Sequence, residues 1–165
     1  MCCGIEEEKE KMVRSFLDLV VYQNLYKAMM VVLTKVVPKL PKEEKFDLGG
    51  QMRRACKAPP ALIAEGYAQK HHRKAWQKYL NDAIGECNEM IVHLSCTKDV
   101  YFEYADVDIC QDLIETYDIG GKQLYRLADS WREPQELTTH PRNSPHNSKL
   151  ILTTEVKCLP GLEKS

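Results

Sequence analysis

Pro59 and Pro60 stand inside a run of apolar residues spaced for a helix, and that conflict constrains the fold more than any other feature of the chain. Met52, Ala55, Cys56, Pro59, Leu62, Ile63 and Gly66 recur at intervals of one, three and four, as one face of a helix does. Proline lacks the amide hydrogen that a helix interior needs and crowds the preceding turn, at a cost of about 3 kcal/mol. A helix therefore either starts near Pro59 and Pro60 or bends there. The apolar pattern continues on both sides, which predicts one helix running through with a kink. Arg53 and Arg54 fall on the turn just before it.

Three further helical patterns flank this one. Val13 to Val37 carries two adjacent stripes: Val21, Leu25, Met29, Val32 and Val36, and beside them Tyr22, Tyr26, Met30, Leu33 and Val37. One core face does not require so wide a stripe, so part of it is expected at a subunit interface. Pro38 and Pro41 close the segment. The second helix is predicted over Glu43 to Gln69, weakened in its first turns by Gly49 and Gly50. The third, Arg73 to Thr97, has a heptad-like core of Trp76, Leu80, Ala83, Cys87, Met90 and Leu94. The fourth runs from after Glu103 to about Arg132, with Cys110, Leu113, Tyr117, Gly121, Leu124, Ala128 and Trp131 on one side. Gly120 and Gly121 in its middle point to close approach by another helix. Short connections make consecutive helices antiparallel, so the reading is an all-α, up-down, antiparallel four-helix bundle over residues 13–132. A flexible leader (1–12) precedes it. A mostly disordered tail (133–165) follows, where Pro134, Pro141, Pro145 and Pro160 forbid a long helix and only Lys149 to Val156 reads as a possible strand.

The 165 residues amount to about one domain, and the formal net charge of −1 predicts no bulk attraction to nucleic acid or membrane. Charge is unevenly distributed, however. Lys42 to Lys78 holds nine Lys/Arg against four Asp/Glu, whereas Asp82 to Asp118 holds one against ten. On adjacent helices these segments would pair within or between subunits. Seven cysteines form no zinc spacing; Cys56, Cys87 and Cys110 fall in core patterns, while Cys2 and Cys3 lie at the terminus. An odd count with no signal peptide implies a reducing cytoplasm. No apolar run reaches the roughly 20 residues of a membrane span.

Gln51, Arg53, Arg54, Ala55, Pro60, Ile63, Ala64, Glu65 and Gly66 together resemble the central signature of the 23S rRNA intervening-sequence proteins, small four-helix-bundle proteins of bacteria. Phe16 to Tyr22 resembles the opening of that family, and Pro41 to Phe46 with Leu48 resembles its turn into the second helix. Ala83-Ile-Gly85 with Glu89 and Leu94 is similar to its third-helix stretch. The chain departs from the pattern at Ala58 and Leu62, where relatives carry polar residues, and at Glu86, where a serine is common. The resemblance implies a homopentamer with no established reaction. It also implies a possible association with RNA, because a related group serves as reverse-transcriptase accessory proteins in diversity-generating retroelements.

The candidate nucleic-acid-binding residues are Arg53, Arg54, Lys57, Lys70, Arg73, Lys74 and Lys78, with His71 and His72 in the same turn. Several cations on one surface bind phosphate in a salt-dependent way, and Tyr67, Trp76 and Tyr79 lie near enough in sequence to stack on unpaired bases. The bland alternative is a solvated face, or pairing with the acidic segment. Glu65 is expected to pair with Arg53, Arg54 or a neighbouring subunit, since a buried carboxylate without a partner is costly. Glu65, Glu89 and His93 lack the Glu-x-x-His repeat of a bundle di-iron site, so no metal or other cofactor is expected. No nucleophile, base and orienting group fall in a recognisable pattern, and the expectation is a protein without catalytic activity. Two roles remain: a nucleic-acid accessory, beside ribosomal RNA or a reverse transcriptase, or a protein-binding scaffold whose charges pair inside the oligomer.

Overall fold

The computed structural model describes residues 13–130. The leader, Trp131, and the tail with its possible strand lie outside the described residues, within which every regular element is helical.

The first helix begins later than its pattern predicts. Ser15 accepts a hydrogen bond from the Leu17 amide, and the Asp18 carboxylate accepts one from the Ser15 amide at 2.9 Å. This capping box closes a single 3-10 turn, Phe16–Asp18, after which Leu19 is extended (φ −70°, ψ 119°). Helix α1 then runs over Val20–Val31 and passes into a π turn, Val32–Val36, and a 3-10 turn, Val37–Lys39. Val21, Leu25, Val32 and Val36 of the first stripe are buried; in the second, Val37 is buried while Tyr26 and Met30 stay 45% and 44% exposed.

The second helix also starts late. A 3-10 turn, Lys42–Lys45, precedes α2 (Leu48–Ala55). The Glu44 carboxylate accepts hydrogen bonds from the Leu48 amide (3.2 Å) and from the Tyr101 hydroxyl (2.6 Å), tying this connection to the residue that ends the third helical segment. The proline conflict is resolved by dividing the helix. The expected single helix is thus two, α2 and α3 (Ala58–Ala68), joined through Cys56 and Lys57, which keep right-handed helical dihedrals. Pro59 and Pro60 fall in the first turn of α3, where a missing amide leaves no hydrogen bond unmade.

Helix α4 (Arg73–Val100) buries all six predicted core residues and adds Thr97, whose hydroxyl donates to the His93 carbonyl at 2.9 Å. Asp106 caps α5 (Val107–Ser130) by accepting from the Asp108 and Ile109 amides. Helix α4 packs along α5 and against α3, and α1 lies on α5. The Gln77 side chain donates to the Ala128 carbonyl at 3.4 Å, and Lys98 donates to Gln111 at 3.2 Å. These bonds join the start of α4 to the end of α5, and the end of α4 to the start of α5.

The glycine expectation needs a correction of one residue. A Cβ on Gly120 would lie 2.8 Å from Leu25 of α1, whereas one on Gly121 would meet nothing within 4 Å. Gly120 therefore marks the close approach. One residue of helix turns a position by about 100°, enough to exchange a neighbour for open space.

Cys56, Cys87 and Cys110 are buried, as their patterns predict. Burial pushes the Cys56 thiol up to about 11 and the Cys87 thiol to about 12, and raises Cys110 as well. The folded chain thus holds these protons to higher pH than the unfolded chain. Their contribution to stability is intact below the ordinary thiol range and falls as pH climbs from about 9 through 11 to 12. Thiol labelling of the native protein, with the sites mapped by mass spectrometry, is expected to spare all three until denaturant is added. Rapid native-state modification of any of them would contradict the packing described.

Candidate nucleic-acid interface

The structure divides the predicted cations into two groups. Arg53, Arg54 and Lys57 precede α3, whereas Lys70, Arg73, Lys74 and Lys78 follow it. The 11 residues of α3 separate them by about 16 Å at 1.5 Å per residue. One continuous patch does not form along this hairpin.

The first group is largely engaged in holding the fold. Arg53 Nη1 donates to the Lys45 carbonyl at 2.9 Å. Arg54 reaches from α2 to α4, where it pairs with Glu89 and, at 3.5 Å, with Glu86. His93 Nε2 lies 3.3 Å from the same Glu89 oxygen. Partial burial pushes the Glu89 carboxyl upward, but the hydrogen bonds and charges of His93 and Arg54 outweigh that and hold it below the usual carboxylate range. Stability drawn from this ionised Glu89 is present above that range and is lost as acid titrates the carboxylate. Glu86 stands where relatives carry a serine, and here it supplies a second carboxylate to Arg54. That pairing is not among the sequence expectations. The signal was present: Glu86 and Glu89, three residues apart, share a helix face.

Other signature residues are also placed. Glu65 is exposed on α3 and makes no ion pair among the described residues, so the expected partnership with Arg53 or Arg54 does not form within the chain. Gln51 is exposed and donates to Asp47 at 2.9 Å. Pro60 is buried at the bend, and Gly66 is where α3 meets α4. Gly85 is exposed, and a Cβ there would meet nothing within 4 Å.

The second group surrounds the start of α4. His72 occupies the cap position but makes no side-chain cap, and the first turn of this 28-residue helix contains no acidic residue. The first amides of a helix have no partner within it, and they carry the positive end of its dipole. Lys74, His71 and His72 are exposed, Arg73 is half-buried, and Lys70 Nζ sits 4.1 Å above the Tyr67 ring. Lys78 is bound to Asp82 at 2.6 Å. The aromatic part of the prediction is corrected here. Trp76 is 1% exposed and belongs to the core, and half-buried Tyr67 packs edge-on against Trp76 and Phe16. Of the three aromatic residues, Trp76 therefore presents no face to a base, because its ring fills the space that Gly66 leaves open.

These features define a small helical-bundle protein with a cationic turn at one end. The chain matches the 23S rRNA-intervening sequence protein family over residues 17–126, two thirds of its length, and belongs to that family. No curated protein matches it. Among the described residues no helix is long and apolar enough to cross a membrane.

Proposed function

We propose that this protein is a non-enzymatic, oligomeric accessory that associates with RNA or single-stranded DNA through the turn between α3 and α4. The observation that carries this reading is the clustering of Lys70, Arg73 and Lys74 around the uncapped, acid-free start of a 28-residue helix. Cations and the positive helix end favour the same ligand, an anion such as a backbone phosphate. An up-down, antiparallel order of the four helical segments is supported by the two end-to-end bonds between α4 and α5. Assembly of several copies, five by family resemblance, is supported by the exposure of Tyr26 and Met30 beside the buried stripe of α1. A ring would repeat the turn around its axis and supply the continuity that one subunit lacks. The narrower forms of this reading are service to ribosomal RNA and accompaniment of a reverse transcriptase, in the cytoplasm. A second reading, a protein-binding scaffold, is favoured by the pairing of Arg54 and Lys78 with acidic neighbours.

The test is binding of RNA and single-stranded DNA across a salt series, comparing the natural chain with Arg73→Glu/Lys74→Glu. Each phosphate contact on a single strand contributes about −0.7 to the slope of log affinity against log salt. The variant is expected to lose at least about tenfold in affinity and to flatten that slope by more than about 1. Absent binding in low salt, with helicity and assembly intact, supports the scaffold instead.

A further inference from the structure

A groove remains along the seam of α1 and α5, away from the cationic turn. It encloses about 540 Å³ between Asn24 and Lys35 on one side and Ile109 and Ile119 on the other. A second hollow of about 360 Å³ shares Lys35 and Ile109 and extends it to Lys39 and Tyr104. Ala28, Val31, Ile109 and Leu113 give the main trough an apolar lining. Large apolar side chains mark its two ends, Ile119 and Tyr104, each 52% exposed.

The wall formed by α1 and the two turns that continue it is cationic. Lys27, Lys35 and Lys39 line the two hollows and form no hydrogen bond or ion pair among the described residues. Opposite them, Asp106, which also accepts the first amides of α5, and Asp112 line the hollows, so two carboxylates stand against three lysines. The lining is therefore net positive, with its cations concentrated along one edge. Lys27 lies on α1, Lys35 on the π turn and Lys39 on the 3-10 turn that continue it, so the cations succeed one another along one edge of the groove.

We infer that this groove docks an amphipathic helix from a protein partner, with an apolar stripe for the trough and a line of Asp or Glu against Lys27, Lys35 and Lys39. Apolar floor, charged rim and exposed large side chains at the ends are the elements of helix-in-groove recognition. The site is separate from the anion-binding turn, and either reading survives failure of the other.

The experiment uses the full chain and a fluorescent model peptide about five helical turns long, with leucines at helical spacing and glutamates along one flank. Its mate carries lysines in place of the glutamates. Anisotropy titration in moderate salt is expected to show the glutamate peptide binding at least about tenfold more tightly. In Lys27→Glu/Lys35→Glu, a surface change whose folding is checked by circular dichroism, the preference should invert. The inference is overturned if neither peptide binds, if both bind alike, or if the preference survives the reversal. It is also overturned if the reversal breaks up the protein's own assembly while neither peptide binds, because a second copy would then occupy the groove.

Discussion

Gly66→Ala destabilises the folded chain by about 1–3 kcal/mol, the usual cost of forcing an extra carbon into a packed contact. The new Cβ would lie 2.7 Å from a ring carbon of Trp76 and 2.7 Å from the Cβ of Tyr79. Neither atom is the free end of a flexible chain. Trp76 is fully enclosed, and the Tyr79 Cβ is fixed to the α4 backbone, so α3 itself must move. The gain of about 1 kcal/mol that alanine normally brings to a helix interior does not compensate. Gly85→Ala provides the contrast: with open space around its Cβ, it should stabilise an isolated subunit by up to about 1 kcal/mol. Urea midpoints of the two variants are expected to move in opposite directions. A Gly66 variant as stable as the natural chain would show that α3 does not approach α4 as described.

The largest single loss is expected for Trp76→Ala, about 3–5 kcal/mol, since a large enclosed ring leaves a cavity that its neighbours fill only in part. Against a typical total stability of about 5–15 kcal/mol, that brings the fold close to its limit. Trp76→Phe is the milder companion that keeps the experiment readable if the alanine form does not accumulate. The two sites should also be coupled. With the ring removed, Gly66→Ala gains room, so the double variant should cost less than the two single losses combined. Thermal or urea unfolding of the four proteins closes the cycle. Strict additivity would mean that the Tyr79 contact, which the ring's removal does not relieve, sets the cost at Gly66.

Features that depend on adjacent turns of the chain are legible in its sequence, and those that depend on distant contacts are not. The α4 core from Trp76 to Leu94 was legible in full, since a 3.6-residue period repeated over a 28-residue helix depends only on the order of residues. The prolines announced an interruption between α2 and α3 for the same reason: the missing amide and the ring clash act on the adjacent turn. The early starts predicted for the first two helices were wrong, because Ser15 with Asp18, and Glu44 with Leu48, close local turns that compete with helix.

What the sequence by itself determined is a helical chain interrupted in some way at Pro59 and Pro60, with known buried faces and a signature that assigns its family. Tertiary structure alone decided that Gly120 rather than Gly121 meets α1, and that Glu65 stays exposed while Arg54 bridges to Glu86 and Glu89. It also left Lys27, Lys35 and Lys39 lining an open groove. Period and propensity are properties of a single helix. Which side chain meets which across a seam depends on each helix's rotation and axial offset against its neighbours, and those are set by close packing of the whole core.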